Sequence, residues 1–213
     1  MKNHLIKALF VDLGGVLVLN HSDQVYQEYN KKHGIDSNTL RSVFKFIHSG
    51  QPSREEVERY LERVGLSKTI WESFKKDFFA SEVRNNSLYQ LLLNLKQQKS
   101  MLIFFTTNNG ARLEKVLKKY NLLDLPDYIV NSSLVKATKP SMPFWQFAYK
   151  KIQQHQHGIQ KNEIMVIDDS TENIDSAKNF GFQTLLYKTE SDNEKLLYLK
   201  NQNGRSRPRV VGS

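Results

Sequence analysis

Ile6-Lys7-Ala8-Leu9-Phe10-Val11-Asp12-Leu13-Gly14-Gly15-Val16-Leu17-Val18-Leu19 is the stretch whose reading decides the fold. Its first half is a short apolar and β-branched run, the composition of a strand buried on both faces of a parallel sheet. The run ends in Asp12, followed by two glycines. A carboxylate at the carboxyl end of a central strand, next to backbone that a bound group can approach closely, lies where open α/β sheets hold their ligands. Taken alone, the same residues also read as a turn that Asp12 caps and Gly14 and Gly15 shape.

The rest of the chain supplies the context. From Ser87 onward helix and strand alternate. Leu88 to Gln98 is helical, Met101 to Phe105 is a buried strand ending in Thr106-Thr107-Asn108-Asn109-Gly110, and a helix runs from Ala111 to Tyr120. A strand around Tyr128-Ile129-Val130, a loop from Ser132 to Pro140 and a helix from about Pro143 to His155 follow. The strand Ile164 to Ile167, a helix from Thr171 to Phe180 stopped by Gly181, and the strand Thr184 to Tyr187 complete the series. This pattern predicts an α/β fold, a doubly wound Rossmann-like parallel sheet whose right-handed crossovers bring every strand's carboxyl end to one edge.

Between the first strand and this series, Ser22 to Glu82 reads as four short amphipathic helices with no strand between them. Ser53-Arg54-Glu55-Glu56 is a capping-box start for one of them. The expected organisation is therefore an α/β core over residues 1–19 and 86–200, an inserted helical bundle over 20–85, and a mobile basic tail over 201–213.

Composition narrows the function. No apolar run is long enough to cross a bilayer, and Met1-Lys2-Asn3-His4-Leu5-Ile6-Lys7 lacks the apolar core and cleavage site of a secretory signal, so no membrane association and a cytoplasmic location are expected. The absence of cysteine excludes disulfides and thiolate chemistry. The net charge of +9 is uneven. Residues 20–94 carry 11 basic and 10 acidic side chains, whereas Lys195, Lys200, Arg205, Arg207 and Arg209 crowd the C-terminus. No basic stripe interleaved with aromatics appears, so specific nucleic-acid binding is not expected; a positive field fits small anionic substrates.

Four pieces converge on the predicted edge: Asp12, Thr107-Asn108, Lys139-Pro140 and Asp168-Asp169-Ser170. Each has a plain structural reading as a cap, a turn or one surface lysine among many. Together they make a site. Three carboxylates brought close repel one another unless a cation lies among them. An oxygen-only ligand set without His or Cys suits Mg²⁺. A lysine, a hydroxyl and free backbone N–H groups beside such an ion can hold a phosphoryl group, and an aspartate can accept it as an acyl phosphate that water then hydrolyses.

The order D-L-G-G-V, F-F-T-T-N, K-P and I-D-D-S-T-E-N-I-D-S-A-K-N-F-G resembles the haloacid dehalogenase (HAD) superfamily over roughly Leu5 to Lys188, and the helical insertion is similar to the cap of its subfamily I. The resemblance implies a phosphatase of a small phosphorylated metabolite. It implies Asp12 as nucleophile and Thr107 and Lys139 as phosphate binders, with Gly14, Gly15 and Asn108 on the substrate side. It further implies Mg²⁺ held by Asp12, the Gly14 carbonyl and Asp169, with Asp168 supporting or sharing the ion. The sequence departs from the family at Gly14, where phosphatases usually carry an aspartate that protonates the leaving oxygen. Some relatives that resemble bacterial sugar-phosphate phosphatases, including ones acting on glucose 1-phosphate, share D-L-G here, and an anomeric phosphate leaves more readily than an alkyl ester. Lys136 is a second departure, read as solvent-facing, at a place where relatives often have glycine.

Two rival readings remain. A metal-independent 2-haloacid dehalogenase would use the same nucleophile, but the acidic pair Asp168-Asp169 argues against it. A phosphometabolite-binding or partner-binding module could retain the site as scaffold without turnover. His155 and His157 are read as surface residues; His21 is read as the first residue of a hinge, with proton donation as its alternative.

Overall fold

All four residues of β1 (Ala8–Val11) are fully buried, because the strand is paired on both edges and packed on both faces. The structure is a computed structural model and describes residues 5–201 apart from 21, 51, 100, 109 and 111. The His21 and tail readings therefore lie outside the described residues, apart from Asn201.

After β1 come β2 (Val18–Asn20) and four helices, α1 (Ser22–His33), α2 (Ser37–Gly50), α3 (Arg54–Arg63) and α4 (Lys68–Ala80). Then follow β3 (Glu82–Arg84), α5 (Asn86–Lys99), β4 (Leu102–Thr107), α6 (Leu113–Lys119) and β5 (Tyr128–Asn131). The remainder is α7 (Ser132–Val135), α8 (Met142–His155), β6 (Ile164–Asp168), α9 (Thr171–Phe180), β7 (Gln183–Leu186) and α10 (Glu194–Asn201).

The main sheet has the order β5-β4-β1-β6-β7, and every pairing in it is parallel. The chain steps outward from β1 to β4 and β5, then returns to β6 and β7 on the other side, so the switch of direction falls beside β1. The pleat divides the core in two. Leu9 and Val11 join a cluster with Leu92 and Leu95 of α5 and Leu117 of α6; Ala8 and Phe10 join one with Phe144, Trp145 and Ile152 of α8 and Ala177 of α9. No described helix is long and apolar enough to cross a membrane.

The insertion has its own core, built on Leu40, Val43, Leu61, Trp71 and Phe74. The capping box forms as expected: the Glu56 N–H donates to Ser53 Oγ at 3.2 Å, and the Ser53 N–H donates to Glu56 Oε2 at 2.7 Å. The sequence reading of Ser22 to Glu82 missed an antiparallel ribbon, β2 with β3, through which the insertion leaves and rejoins the core. Its strands are three residues each, too short to show a period of two. Asn85, buried at the end of the ribbon, fixes this junction. Its N–H donates to the Leu17 carbonyl, and its Nδ2 to the Val16 carbonyl and the Tyr187 hydroxyl, at 2.9, 3.0 and 2.7 Å. Two further differences are the short helix α7 within the expected 132–140 loop, and α10, which sequence periodicity did not reveal.

Asp192 holds the loop that leads into α10. Its Oδ2 accepts the N–H groups of Lys188 and Thr189 at 2.7 and 3.0 Å, and its Oδ1 accepts Lys195 Nζ at 2.5 Å. Lys195, then the two backbone donors, lower its pKa from 3.8 to about 2. Asp192→Ala should cost about 1–2 kcal/mol near neutral pH. Because the folded-state pKa is depressed, this stabilisation is complete above the unfolded value of 3.8 and is lost as pH falls toward 2. Urea titrations of both proteins should show the gap narrowing over that window; a gap independent of pH would refute the assignment.

Candidate active site

The sheet register brings the acids together. Asp12 follows β1 directly, and its N–H donates to the Ile167 carbonyl of β6 at 2.9 Å, which sets it beside Asp168, the last residue of that strand. Thr107 ends β4 on the other side of β1. Lys139 arrives from the loop after α7. Asn108 holds that loop in place: its Oδ1 accepts the Lys139 N–H at 2.9 Å and its Nδ2 donates to the Lys139 carbonyl at 3.2 Å.

At the centre lies a buried ionic cluster. Lys139 Nζ is 3.0 Å from Asp12 Oδ1 and 2.6 Å from Asp168 Oδ2, and its side chain is 1% exposed. The Leu13 N–H also donates to Asp12 Oδ1, at 2.8 Å. Asp168 is saturated, since its Oδ1 accepts the Ser170 N–H and Asn173 Nδ2, both at 2.9 Å. Carboxylate oxygens of Asp12, Asp168 and Asp169 lie within 4.8 Å of one another. Burial raises Asp12 to about 7; Lys139 opposes the shift, and Asp168 and Asp169 reinforce it. Burial, then Asp168, also raises Asp169. Burial acts against the charge on Lys139, but Asp12 and Asp168 outweigh it and keep its pKa above the usual lysine value. A site in which two carboxylates are pushed toward neutrality is short of positive charge, and hard oxygen donors fit a divalent cation.

The two glycines differ. Gly15 has φ +76°, and a Cβ built on it would fall 2.6 Å from Asp169 Cγ, so only glycine fits there. At Gly14 a Cβ would meet nothing within 4 Å.

Above these groups is a cavity of about 400 Å³, lined from below by Asp12, Gly14, Thr107 and Lys139 and from the insertion by Tyr26, Phe44, Phe78 and Phe79. Its size suits a small-molecule ligand. Arg112 forms part of the rim. It makes a two-pronged pair with Glu82 at 2.9 and 3.3 Å, with its guanidinium 3.3 Å from the centre of the Phe79 ring.

A model of the haloacid dehalogenase-like hydrolase family matches residues 17–187. The chain belongs to that family. This HAD-like hydrolase shares its fold with the HAD family enzyme BT-2542 of Bacteroides thetaiotaomicron, seen as an aspartate-to-alanine variant in complex with magnesium and inorganic phosphate. The TM-score is 0.66 at 23% identity, over 90% of this chain and 98% of that one. A predicted HAD-like family hydrolase from Porphyromonas gingivalis superposes with a TM-score of 0.64 at 20% identity, covering 91% and 98% of the two chains. A hydrolase from Streptococcus pneumoniae gives 0.62 at 18%, covering 92% and 100%. No curated protein matches the sequence.

Of the residues singled out from the HAD-like sequence pattern, Asp12, Gly14, Thr107, Asn108 and Lys139 line the cavity, Asp168 and Asp169 lie beside Asp12, and Gly15 packs on Asp169. His155, His157 and Lys136 are exposed. Lys136 has φ +55°, a left-handed conformation that glycine adopts more easily. The sequence reading assigned no role to Asn173, Glu82, Arg112 or the aromatic wall. Asn173 carried a signal, since it sits three residues past Ser170 in the first turn of α9; the others depend on how the insertion folds back.

Removing the central cation leaves two buried acids unpaired, so Lys139→Met should lower stability by about 3–5 kcal/mol in urea denaturation, and a loss below about 1 kcal/mol would contradict the cluster's role. Gly15→Ala should cost about 2 kcal/mol or more, whereas Gly14→Ala should stay within about 1 kcal/mol. Equal effects at the two positions would overturn the steric distinction.

Proposed function

We propose that this HAD-like hydrolase is a Mg²⁺-dependent phosphatase of a small phosphorylated metabolite, with Asp12 as nucleophile. The observation that carries this reading is the asymmetry of the Asp12 carboxylate. One oxygen is held by the Leu13 N–H and Lys139, while the other has no hydrogen-bond partner among the described residues, and Asp12 lines the cavity.

In the proposed reaction an Asp12 oxygen attacks phosphorus, and the ester oxygen leaves with the electron pair of its bond to phosphorus. Water then hydrolyses the acyl phosphate, releasing inorganic phosphate and restoring the carboxylate. Lys139 and Thr107 bind the non-bridging phosphate oxygens, and Lys139 keeps the Asp12 carboxylate oriented. Asp12, Asp169 and the Gly14 carbonyl would hold the cation; Asp168, with both oxygens engaged, serves chiefly to anchor Lys139. When bound, the cation offsets carboxylate repulsion and withdraws charge from the phosphoryl group. The insertion, residues 20–85, acts as the cap that selects substrate and excludes water. The magnesium and phosphate complex of the Bacteroides enzyme supports the reading, since that protein shares the fold.

A panel of phosphomonoesters assayed with Mg²⁺ tests this. Turnover should vanish with chelator, and Asp12→Asn should reduce kcat at least about 1,000-fold while phosphoester binding persists. Wild-type protein that binds phosphoesters without hydrolysing any would instead be a binding module, the reading favoured by the lack of a side chain at Gly14.

A further inference from the structure

This inference rests on the phosphatase reading and concerns which ester the site accepts. The first observation is the wall facing the carboxylates. Phe44 of α2 and Phe78 of α4 lie 4.8 Å apart between ring centres, Phe78 and Phe79 5.5 Å, and Tyr26 and Phe78 6.0 Å. All four rings line the cavity that contains Asp12. The bundle closes its own core with Trp71 and Phe74, at 1% and 0% exposure, whereas Phe44, Phe78 and Phe79 stay only half-buried. The Arg112 guanidinium covers one face of Phe79, so Phe44 and Phe78 are the partly exposed rings that offer apolar area to a ligand in the cavity, and an aromatic ring can pack against them.

The second observation is the lack of an available acid. Asp12 and Glu82 are the carboxylic acids lining the cavity, and no imidazole lines it, among the described residues. Asp12 is the proposed nucleophile. Glu82 is bound through both oxygens by Arg112, and its side chain is 9% exposed. At Gly14, beside the nucleophile, there is open space where a Cβ would be. Among the described residues no carboxylic acid or imidazole is placed to protonate a leaving oxygen here, an arrangement that favours groups stable as anions. A phenolic oxygen, with a pKa near 10, meets that demand; an alkyl alcohol, nearer that of water at about 16, does not.

We propose that the substrate is an aryl phosphate monoester, its phosphate on Asp12 and Lys139 and its ring against Phe44 and Phe78. Asp12 forms the new bond to phosphorus, the bond from phosphorus to the phenolic oxygen breaks, and the phenolate leaves with the electron pair and takes its proton from solvent. Water then cleaves the acyl phosphate, so the balance is aryl phosphate plus water giving phenol plus inorganic phosphate.

The test measures kcat/KM with Mg²⁺ for a series of substituted phenyl phosphates, for sugar 1-phosphates and alkyl phosphates, and for acetyl phosphate, whose leaving carboxylate needs neither a proton nor an aromatic wall. Aryl phosphates should exceed alkyl and sugar 1-phosphates by about 100-fold or more, and their rates should fall steeply as the leaving-group pKa rises. Gly14→Asp should flatten that dependence. Phe78→Leu, which keeps apolar volume without the ring, and Phe44→Ala should raise KM for aryl phosphates about tenfold more than for acetyl phosphate. A preference for sugar 1-phosphates, or a flat dependence in the wild type, would overturn the proposal and leave the phosphatase reading intact. No turnover of acetyl phosphate or any ester would overturn both.

Discussion

The structure depends on one buried ammonium group. Lys139 Nζ sits between Asp12 and Asp168, and neither the lysine nor Asp168 has more than 1% of its side chain exposed. Charges this deep persist only when paired and hydrogen-bonded. That requirement reaches through the fold, because Asp12 hangs from β1, Asp168 ends β6, and Lys139 comes from the loop after α7, whose backbone Asn108 holds. Asn173 and Ser170 complete the cluster by satisfying Asp168 from the start of α9. The same contacts that stabilise the strand ends leave one Asp12 oxygen without a hydrogen-bond partner among the described residues.

The cavity combines two materials. Its floor is charged and comes from the α/β core; its wall is aromatic and comes from the helical insertion. The insertion has a separate hydrophobic cluster and returns to the core through the β2–β3 ribbon, with Asn85 bonded across it to Val16, Leu17 and Tyr187. Arg112 and Glu82 tie the ribbon to the segment after β4. Floor and wall can therefore be altered independently.

Gly14 and Gly15 show how neighbouring residues of one type meet opposite constraints. Gly15 is required by its positive φ and by the approach of Asp169. Gly14 is under no steric demand, and the position two residues after Asp12 carries no side chain.

The sequence by itself determined the main-sheet strands, most of the helices and the residues at the sheet edge. Each rests on a local signal: an apolar run ending in Asp12, the 3.6-residue spacing of α5 and α9, and a strand stop before Asp168-Asp169-Ser170. Strand order converts those signals into proximity, since parallel crossovers leave all carboxyl ends on one side. Only the tertiary structure decided the three-residue ribbon strands, the saturation of Asp168, the bracing of Lys139 by Asn108, and which aromatic rings face the site. Phe44, Phe74 and Phe78 look alike as apolar helix positions, yet Phe74 fills the bundle core while the other two border the cavity. Periodicity reports that a helix face is apolar; what covers that face depends on contacts between segments far apart in the chain.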